Sequence, residues 1–322
     1  MVLEIMPNIY KLDIPIPKNP LKSLNSYVIK SAERTLVIDT GLNRQECRAA
    51  MDAGLEELGV DLANVDFFIT HMHADHSGLV AGLMKKGSVA YCSAEDAEII
   101  NMDESHWETM RVFVQTGGFP AAEFQNAIEK HPAYKYRAKE YIDFTIVNDG
   151  DSLTVGDYQF VCVKTPGHTR GHMCLYEKNK KFLISGDHIL ADITPNISLW
   201  SDRHDPLHDY LESLEKVRCL DVQLVLPGHR SLIKDFQGRI DELKRHHRTR
   251  ADEVLMILSK GPLNAYEVAA QMTWDMTYDT FEEFPVSQKW FAAGEALAHL
   301  KYLEGLKDVK REVLDNTVIF SR

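Results

Sequence analysis

The sequence predicts an α/β fold for most of the chain and a smaller α+β part at its end. Short apolar runs, such as 65–69 and 222–226, have the length and composition of buried strands. Longer amphipathic stretches, at 44–58 and 206–219, have the spacing of helices and alternate with the strands. From about residue 236 the pattern changes to helices followed by a terminal hairpin, which indicates a separate module.

Length and composition limit the class of protein. A chain of 322 residues can form two domains with a large core, and 44% hydrophobic and 26% charged residues are ordinary for a globular protein. A net charge of −12 argues against a general binder of nucleic acids or anionic membranes. There is no signal-like start and no apolar run of about 18 residues, so we expect a cytoplasmic protein outside the membrane.

The cysteines indicate a reducing compartment. They are odd in number, scattered and without C-x-x-C spacing, so no disulfide framework is expected. They are Cys47, Cys92, Cys162, Cys174 and Cys219.

The first predicted strands precede a turn that carries an aspartate. Strands are expected at 9–12, 26–29 and 35–39, with a proline-rich loop at 14–20 between the first two. Asp39 ends the third strand and is followed by a glycine turn. An amphipathic helix is then expected over 44–58.

The stretch 70–76 holds three imidazoles and a carboxylate, at His71, His73, Asp75 and His76. It follows the predicted strand 65–69 and precedes a helix start for which Ser77 is the predicted N-cap. The first two histidines, spaced by two, can point to one side of an extended segment, and the next two residues can face a second point. Neutral imidazoles and carboxylates suit zinc, iron and related ions. The alternative is a solvated loop.

This H-x-H-x-D-H pattern resembles the metal signature of the metallo-β-lactamase superfamily, which needs three later ligands that each follow a strand. Candidates in the right order are His168, Asp187 and His229, and the resemblance covers roughly 7–235. It implies an αββα sandwich as a catalytic domain over 1–235. The module at 236–322 resembles a winged helix, as in superfamily hydrolases similar to glyoxalase II-like and endoribonuclease-like members.

The resemblance also assigns roles at matching positions. It implies that His71, His73 and His168 bind one ion, that Asp75, His76 and His229 bind a second, and that Asp187 bridges the two. Two divalent ions are implied, with zinc as the default and iron or manganese as alternatives. They would share a hydroxide that attacks the substrate, and Asp75 would also orient it as a catalytic residue.

Three further residues are expected beside the ligands. The resemblance places Asp39 beneath the metal loop, where it would orient a ligand imidazole, with an ordinary strand-end turn as the alternative. His172 and His188 are close in sequence to ligands and are interpreted as supporting or substrate-facing residues.

A helical insertion is expected at about 93–142. Helices are predicted at 94–115 and 120–131, separated by a Gly-Gly-Phe-Pro break. In the family, insertions at this point cap the mouth of the active site. The alternative is a structural insertion, or one that forms a homodimer.

Three functions remain open at this stage. The first is hydrolysis of a small-molecule thioester, ester or lactone. The second is phosphodiester cleavage of single-stranded RNA, supported by the endoribonuclease-like module and by basic residues at 239–250. The third is a non-enzymatic, metal-responsive regulator that binds DNA. Specific binding of duplex DNA is not expected, because residues 252–322 are acidic and the last long helix carries an apolar stripe that should be buried.

Overall fold

The computed structural model describes residues 2–103 and 105–322. Glu104, which falls inside the predicted helix 94–115, lies outside the described residues. The strands are Val2–Met6 (β1), Ile9–Pro15 (β2), Ser23–Ile29 (β3), Thr35–Ile38 (β4), Val65–Phe68 (β5), Ala90–Cys92 (β6), Phe144–Ile146 (β7), Ser152–Val155 (β8), Tyr158–Lys164 (β9), Met173–Glu177 (β10), Phe182–Gly186 (β11), Leu224–Pro227 (β12), Lys310–Leu314 (β13) and Thr317–Ser321 (β14).

The helices separate most of these strands. They are Gln45–Glu57 (α1), Ala74–Ser77 (α2), Val80–Leu83 (α3), Ala94–Ile100 (α4), Ser105–Thr116 (α5), Ala121–Lys130 (α6), Pro132–Tyr136 (α7), Pro206–Arg218 (α8), Phe236–Leu258 (α9), Ala265–Gln271 (α10) and Val286–Gly305 (α11). In the part of the chain that is described, no helix has the length and apolar character needed to cross a membrane.

Two large sheets form the core of the α/β fold. Among the described residues, β1 to β7 form a seven-stranded sheet in chain order, antiparallel up to β4 and parallel from β4 to β7. A five-stranded sheet has the order β12-β11-β10-β9-β8, with only β11 and β12 parallel.

The two large sheets pack face to face through apolar side chains. Buried residues of the first sheet, such as Tyr27 and Phe68, share one cluster with Phe160, Leu175 and Phe182 of the second. Burial of this cluster stabilises the sandwich mainly through the hydrophobic effect. The α/β class expected from the sequence is confirmed.

The chain divides into two compact units. The first comprises 1–102, 135–195 and 213–240, and the second comprises 103–134, 196–212 and 241–322. The second unit therefore contains the C-terminal helices α10 and α11 and the β13-β14 hairpin, together with two earlier segments. A domain boundary near 235 and the winged-helix description stay predictions.

Three local predictions were wrong. β1 was not expected, and β2 continues to Pro15 although 14–20 was predicted as a loop. Pro15 is tolerated because it lies beyond the end of β1, where β2 has a strand neighbour on one side only. The predicted helix 94–115 is two helices. Asn101 ends the first of them, and its side chain exchanges two hydrogen bonds of 2.9 Å with the backbone of Ile142.

Candidate metal centre

The first cluster of predicted ligands lies on the loop between β5 and α2. The chain is still extended at His73, which is the N-cap of α2, and it turns into the helix at Ala74. Ser77 was predicted to cap a following helix, and this was wrong. Its hydroxyl donates to the carbonyl oxygens of Met72 at 3.2 Å and of His73 at 3.0 Å. A serine hydroxyl in a helix can donate to a carbonyl oxygen of the preceding turn. The Ser77 hydroxyl is therefore bonded to residues before it and does not cap a helix that follows.

The later candidates lie where strands of the second sheet end. His168 follows β9, Asp187 directly follows β11, and His229 follows β12. The parallel pairing of β11 with β12 brings the ends of these two strands together, and Gly228 N–H donates to Gly186 O at 2.8 Å.

The structure brings all seven predicted ligands together. They form three groups, and within each group one donor atom from every residue lies within 4.8 Å of the others. The groups are His71, His73 and His168; His71, His76 and Asp187; and Asp75, His76 and His229. The first and third groups have the same members as the two ion positions that the family resemblance implied, apart from the bridging Asp187.

Asp187 lies between these two groups. One carboxylate oxygen is 3.5 Å from His76 Nε2, and the other is 3.4 Å from His229 Nε2 and 3.7 Å from His168 Nε2. The two oxygens therefore face imidazoles of both predicted ion positions, as a bridging carboxylate must.

The imidazoles of His76 and His229 are held so that their Nε2 atoms face a common centre. His76 Nδ1–H donates to Asp39 at 2.7 Å, and His229 Nδ1–H donates to Ser23 O at 2.8 Å. This fixes the tautomer and leaves each Nε2 as a lone pair directed inward. The two Nε2 atoms are 3.3 Å apart. Converging lone pairs repel each other unless a proton or a cation lies between them, so the donor set fits metal ions.

Asp39 supports both predicted ion positions. Its Oδ2 accepts from His76 and from Thr70 Oγ1 at 2.8 Å, and its Oδ1 accepts from Thr70 N–H at 2.9 Å. Because the Thr70 hydroxyl donates to Asp39, it accepts from His71 Nδ1 at 3.0 Å. Asp39 has φ +59°, a left-handed conformation that costs free energy in a non-glycine residue. Asp39 is thus hydrogen-bonded to His76 and, through Thr70, linked to His71.

The pKa values reflect the crowding of imidazoles and carboxylates. Burial and the adjacent His168 lower the pKa of His73 to about 3, although the carboxylates of Asp75 and Asp187 act in the opposite direction. Burial alone would lower the pKa of His229, but the carboxylates of Asp187 and Asp75 outweigh it and raise that pKa to about 10. The carboxylates thus provide the negative charge that cations at this centre require.

Sequence reasoning missed Asp96, on the first turn of α4. Its side chain is buried and accepts from Met72 N–H at 2.9 Å, Thr169 Oγ1 at 2.6 Å and Gly171 N–H at 2.9 Å. It therefore ties the loop of His71 and His73 to the loop of His168. Burial raises the pKa of Asp96 to about 6, although these hydrogen bonds act in the opposite direction. The only sequence signal was Ser93, which caps α4 and begins a helix with an acidic first turn.

The two other predicted histidines are completely buried. His172 Nδ1 is 2.8 Å from Thr165 Oγ1, and its Nε2 accepts from the backbone N–H of Asp187 at 3.1 Å. Burial lowers the pKa of His188 to about 3. These surroundings favour the supporting role over the substrate-facing one.

Two packed sheets with a histidine and aspartate cluster at their strand ends define an α/β protein built around a candidate metal centre. Residues 20–229 match the family described as the metallo-beta-lactamase superfamily. The chain belongs to this superfamily and is a hydrolase of it.

Proteins similar to this chain extend the comparison. It is 25% identical over 306 residues to a probable metallo-hydrolase, YqjP, of Bacillus subtilis, covering 91% of this chain and 92% of that one. It is 30% identical over 222 residues to the human acyl-coenzyme A thioesterase MBLAC2, covering 64% and 72%. The crystal structure of a metallo-beta-lactamase family protein, TTHA1429 from Thermus thermophilus, superposes with a TM-score of 0.83 at 28% identity, covering 99% and 100%.

Proposed function

We propose that this protein hydrolyses the thioester bond of a small molecule with the help of two divalent metal ions, zinc by default. The observation that carries the proposal is the convergence of five imidazoles and two carboxylates on one centre, with Asp187 between the two groups. The likeness to a relative named an acyl-coenzyme A thioesterase supports the choice of a thioester over an ester or a lactone.

The ligands would be the seven predicted residues. His71, His73 and His168 would hold one ion, Asp75, His76 and His229 the other, and Asp187 would contact both. When bound, such ions activate water for attack on a carbonyl carbon and stabilise the charge that develops on its oxygen. A set of nitrogen and oxygen donors without a thiolate also accepts iron or manganese.

Asp75 would orient the attacking water through its carboxylate. Its side chain is 19% exposed and its carboxylate is 3.5 Å from His229 Nε2, so it faces both the centre and the solvent. Burial opposes ionisation, but the neighbouring imidazoles of His229 and His76 hold the pKa of Asp75 well below its ordinary value. The group that leaves a thioester is a thiolate, which is stable enough to depart without a strong acid.

A covalent mechanism through a cysteine is not favoured. Cys162 and Cys174 lie on β9 and β10 and are buried. Burial raises the pKa of each thiol to about 12, and a thiol in this state is a poor nucleophile.

The contacts of two basic residues of α9 and the buried stripe of α11 weaken the nucleic-acid alternatives. Arg239 donates to the carbonyl oxygens of Leu190 and Ile193, and Arg250 pairs with Glu253 at 2.6 Å, so two of the basic residues of α9 make contacts within the protein. The predicted apolar stripe of α11 is buried or half-buried. A helix that reads DNA would instead present basic residues to solvent.

The proposal is tested with purified protein of known metal content. We expect about two transition-metal ions per chain and release of free thiol from acyl-coenzyme A and other acyl thioesters. Chelated protein is the control, and its activity should return when zinc is added. Lactones and labelled single-stranded RNA complete the panel. Metal-dependent cleavage of RNA without thiol release from any thioester would show that the proposed substrate is wrong.

A further inference from the structure

The loop 16–22 between β2 and β3 is bound to the His229 side of the candidate metal centre. The loop leads directly into Ser23, whose carbonyl oxygen accepts from His229 Nδ1 at 2.8 Å. Arg230, the next residue after His229, donates to Pro20 O at 2.7 Å. Asn25 donates through its side chain to the carbonyl oxygens of Pro227 and Arg230, at 2.9 Å each. The loop and the His229 turn are thus held together.

The loop has a defined shape. Ile16 N–H donates to Lys22 O at 2.8 Å, and Lys22 N–H donates to Asn19 O at 3.0 Å. The side chain of Asn19 accepts from Leu21 N–H at 2.9 Å. These bonds fix the direction in which the side chains of the loop leave the backbone.

Basic residues occupy the strained positions of this region. Lys18, Lys22 and Arg230 have φ of 61°, 68° and 65°, in the left-handed region that glycine or asparagine adopts at lower cost. Both lysines are exposed, and neither forms an ion pair with any residue that the structure describes. Lys181 has a similar φ of 57° but pairs with Asp221 at 2.7 Å.

The charge of the loop itself is opposite to the net charge of the whole protein. The chain has 48 acidic residues and a net charge of −12, yet residues 14–32 contain neither Asp nor Glu. The net negative charge of the protein repels an anionic substrate. The loop, by contrast, offers the exposed Lys18 and Lys22, and it is hydrogen-bonded to the turn that carries His229. This combination indicates a binding site for an anionic group of the substrate.

We propose that Lys18 and Lys22 bind the phosphate groups of a coenzyme A thioester, which rests on the thioesterase function proposed above. The long pantetheine arm separates these phosphates from the thioester carbonyl. In this binding mode the carbonyl would lie at the candidate metal centre while the phosphates contact the loop. Lysine binds phosphate as a point charge through an ammonium group, and pairing at an exposed position weakens as salt increases.

The kinetic test compares two substrates with the same acyl group, acyl-coenzyme A and acyl-pantetheine, which lacks phosphate. In the wild-type protein we expect a lower KM for acyl-coenzyme A, and this advantage should shrink at high ionic strength. In the double variant Lys18→Glu, Lys22→Glu the KM for acyl-coenzyme A should rise about tenfold, which removes the advantage. Lys178→Glu is the matched control, because Lys178 is exposed on the turn between β10 and β11, away from the ligand end of these strands.

A binding test separates this site from the proposed reaction. The probe is 3′-phosphoadenosine 5′-phosphate, the nucleotide part of coenzyme A, titrated by calorimetry at low salt. We expect binding to the wild-type protein and to Lys178→Glu, and binding about tenfold weaker to the double variant. Nucleotide binding without hydrolysis of any thioester would support the site and overturn the proposed function.

Two results would overturn the loop proposal while leaving thioester hydrolysis intact. The first is equal KM values for the two substrates together with no binding of the nucleotide. The second is a lysine-dependent preference for acyl-phosphopantetheine on a carrier protein over acyl-coenzyme A, which would assign the loop to a protein-bound carrier.

Discussion

The ligand loops of the first unit and the core of the second unit are held together by opposite kinds of interaction. Around the candidate metal centre, the buried groups include imidazoles and carboxylates, and the hydrogen bonds of Asp39 and Asp96 join separate segments of the chain. In the second unit, Trp290 packs among aromatic and aliphatic side chains, including Phe119, Phe124 and Trp200. Hydrogen bonds fix the directions of the polar groups around the candidate metal centre, whereas packing in the second unit depends on apolar side chains that fill the available volume. Substitutions in the two regions should therefore have different consequences.

The largest expected effect is on stability, at Trp290. Its side chain is 2% exposed and stacks on Trp200 with ring centroids 4.8 Å apart. Trp290→Ala should lower the free energy of unfolding by about 3–5 kcal/mol, because it removes a large apolar side chain and leaves a cavity. Chemical denaturation measures this, with Leu306→Ala, at a residue that is 52% exposed, as the control. A loss below about 1 kcal/mol would mean that Trp290 does not anchor this core.

The next effect is on catalysis, at Asp187. Asp187→Ala should lower kcat by on the order of 10²–10³, since it removes the carboxylate shared by the two predicted ion positions. Metal content should fall, while the far-ultraviolet circular dichroism spectrum stays that of the folded protein. Asp192→Ala changes an exposed aspartate five residues further along and should leave both quantities unchanged. Full turnover by Asp187→Ala would exclude a bridging role.

The smallest effect is expected at Asp96, a buried carboxylate that hydrogen-bonds to both ligand loops. Asp96→Ala should lower the free energy of unfolding by about 1–3 kcal/mol, because three donors lose their acceptor. The control is Asp61→Ala, since Asp61 accepts a backbone N–H at an exposed turn. If the free energy of unfolding falls by the same small amount in both variants, the hydrogen bonds of Asp96 between the two ligand loops do not stabilise the protein.

The Asp96 effect should also depend on pH. The pKa of Asp96 is raised from its ordinary value of 3.8 to about 6 in the folded protein. A carboxyl group whose pKa is higher in the folded protein stabilises the fold at pH values below its pKa in the unfolded chain. This contribution is lost as the pH rises through its pKa in the folded protein. The difference in stability between wild type and Asp96→Ala should therefore be larger at pH 4 than at pH 7. An increase of that difference with pH would contradict the raised pKa.

The candidate ligands could be located from local sequence patterns together with the family resemblance, because each group of candidates follows a predicted strand. The run 65–69, then His71 and His73, could be recognised from apolar and polar residues that are adjacent in the chain. Caps were read with less success, because Ser77 does not cap a helix, whereas Asn264, an asparagine directly before a helix with Glu267 three residues later, does cap α10. These features depend on neighbours within a few residues, so one sequence contains the information.

Contacts between distant segments could not be derived in the same way. Asp96 is 73 residues from Thr169 in the chain, and nothing in its own sequence context indicates that bond. The apolar face of α11 was expected to be buried, but its partners on α5 and α6 are residues such as Val114 and Phe124. An apolar stripe indicates that a helix face is covered, and many helices of similar composition could cover it.

The chain order of the second unit has a consequence for folding during synthesis. The chain enters that unit at 103, 196 and 241, so two of its three segments leave the ribosome before the last one exists. Val114, Phe119 and Phe124 then remain without Trp290 until α11 has been made. The first unit can complete both of its sheets by residue 240, whereas the second is left with exposed apolar side chains for the remaining period of translation. A ribosome that stalls between 241 and 286 would hold a chain that chaperones recognise.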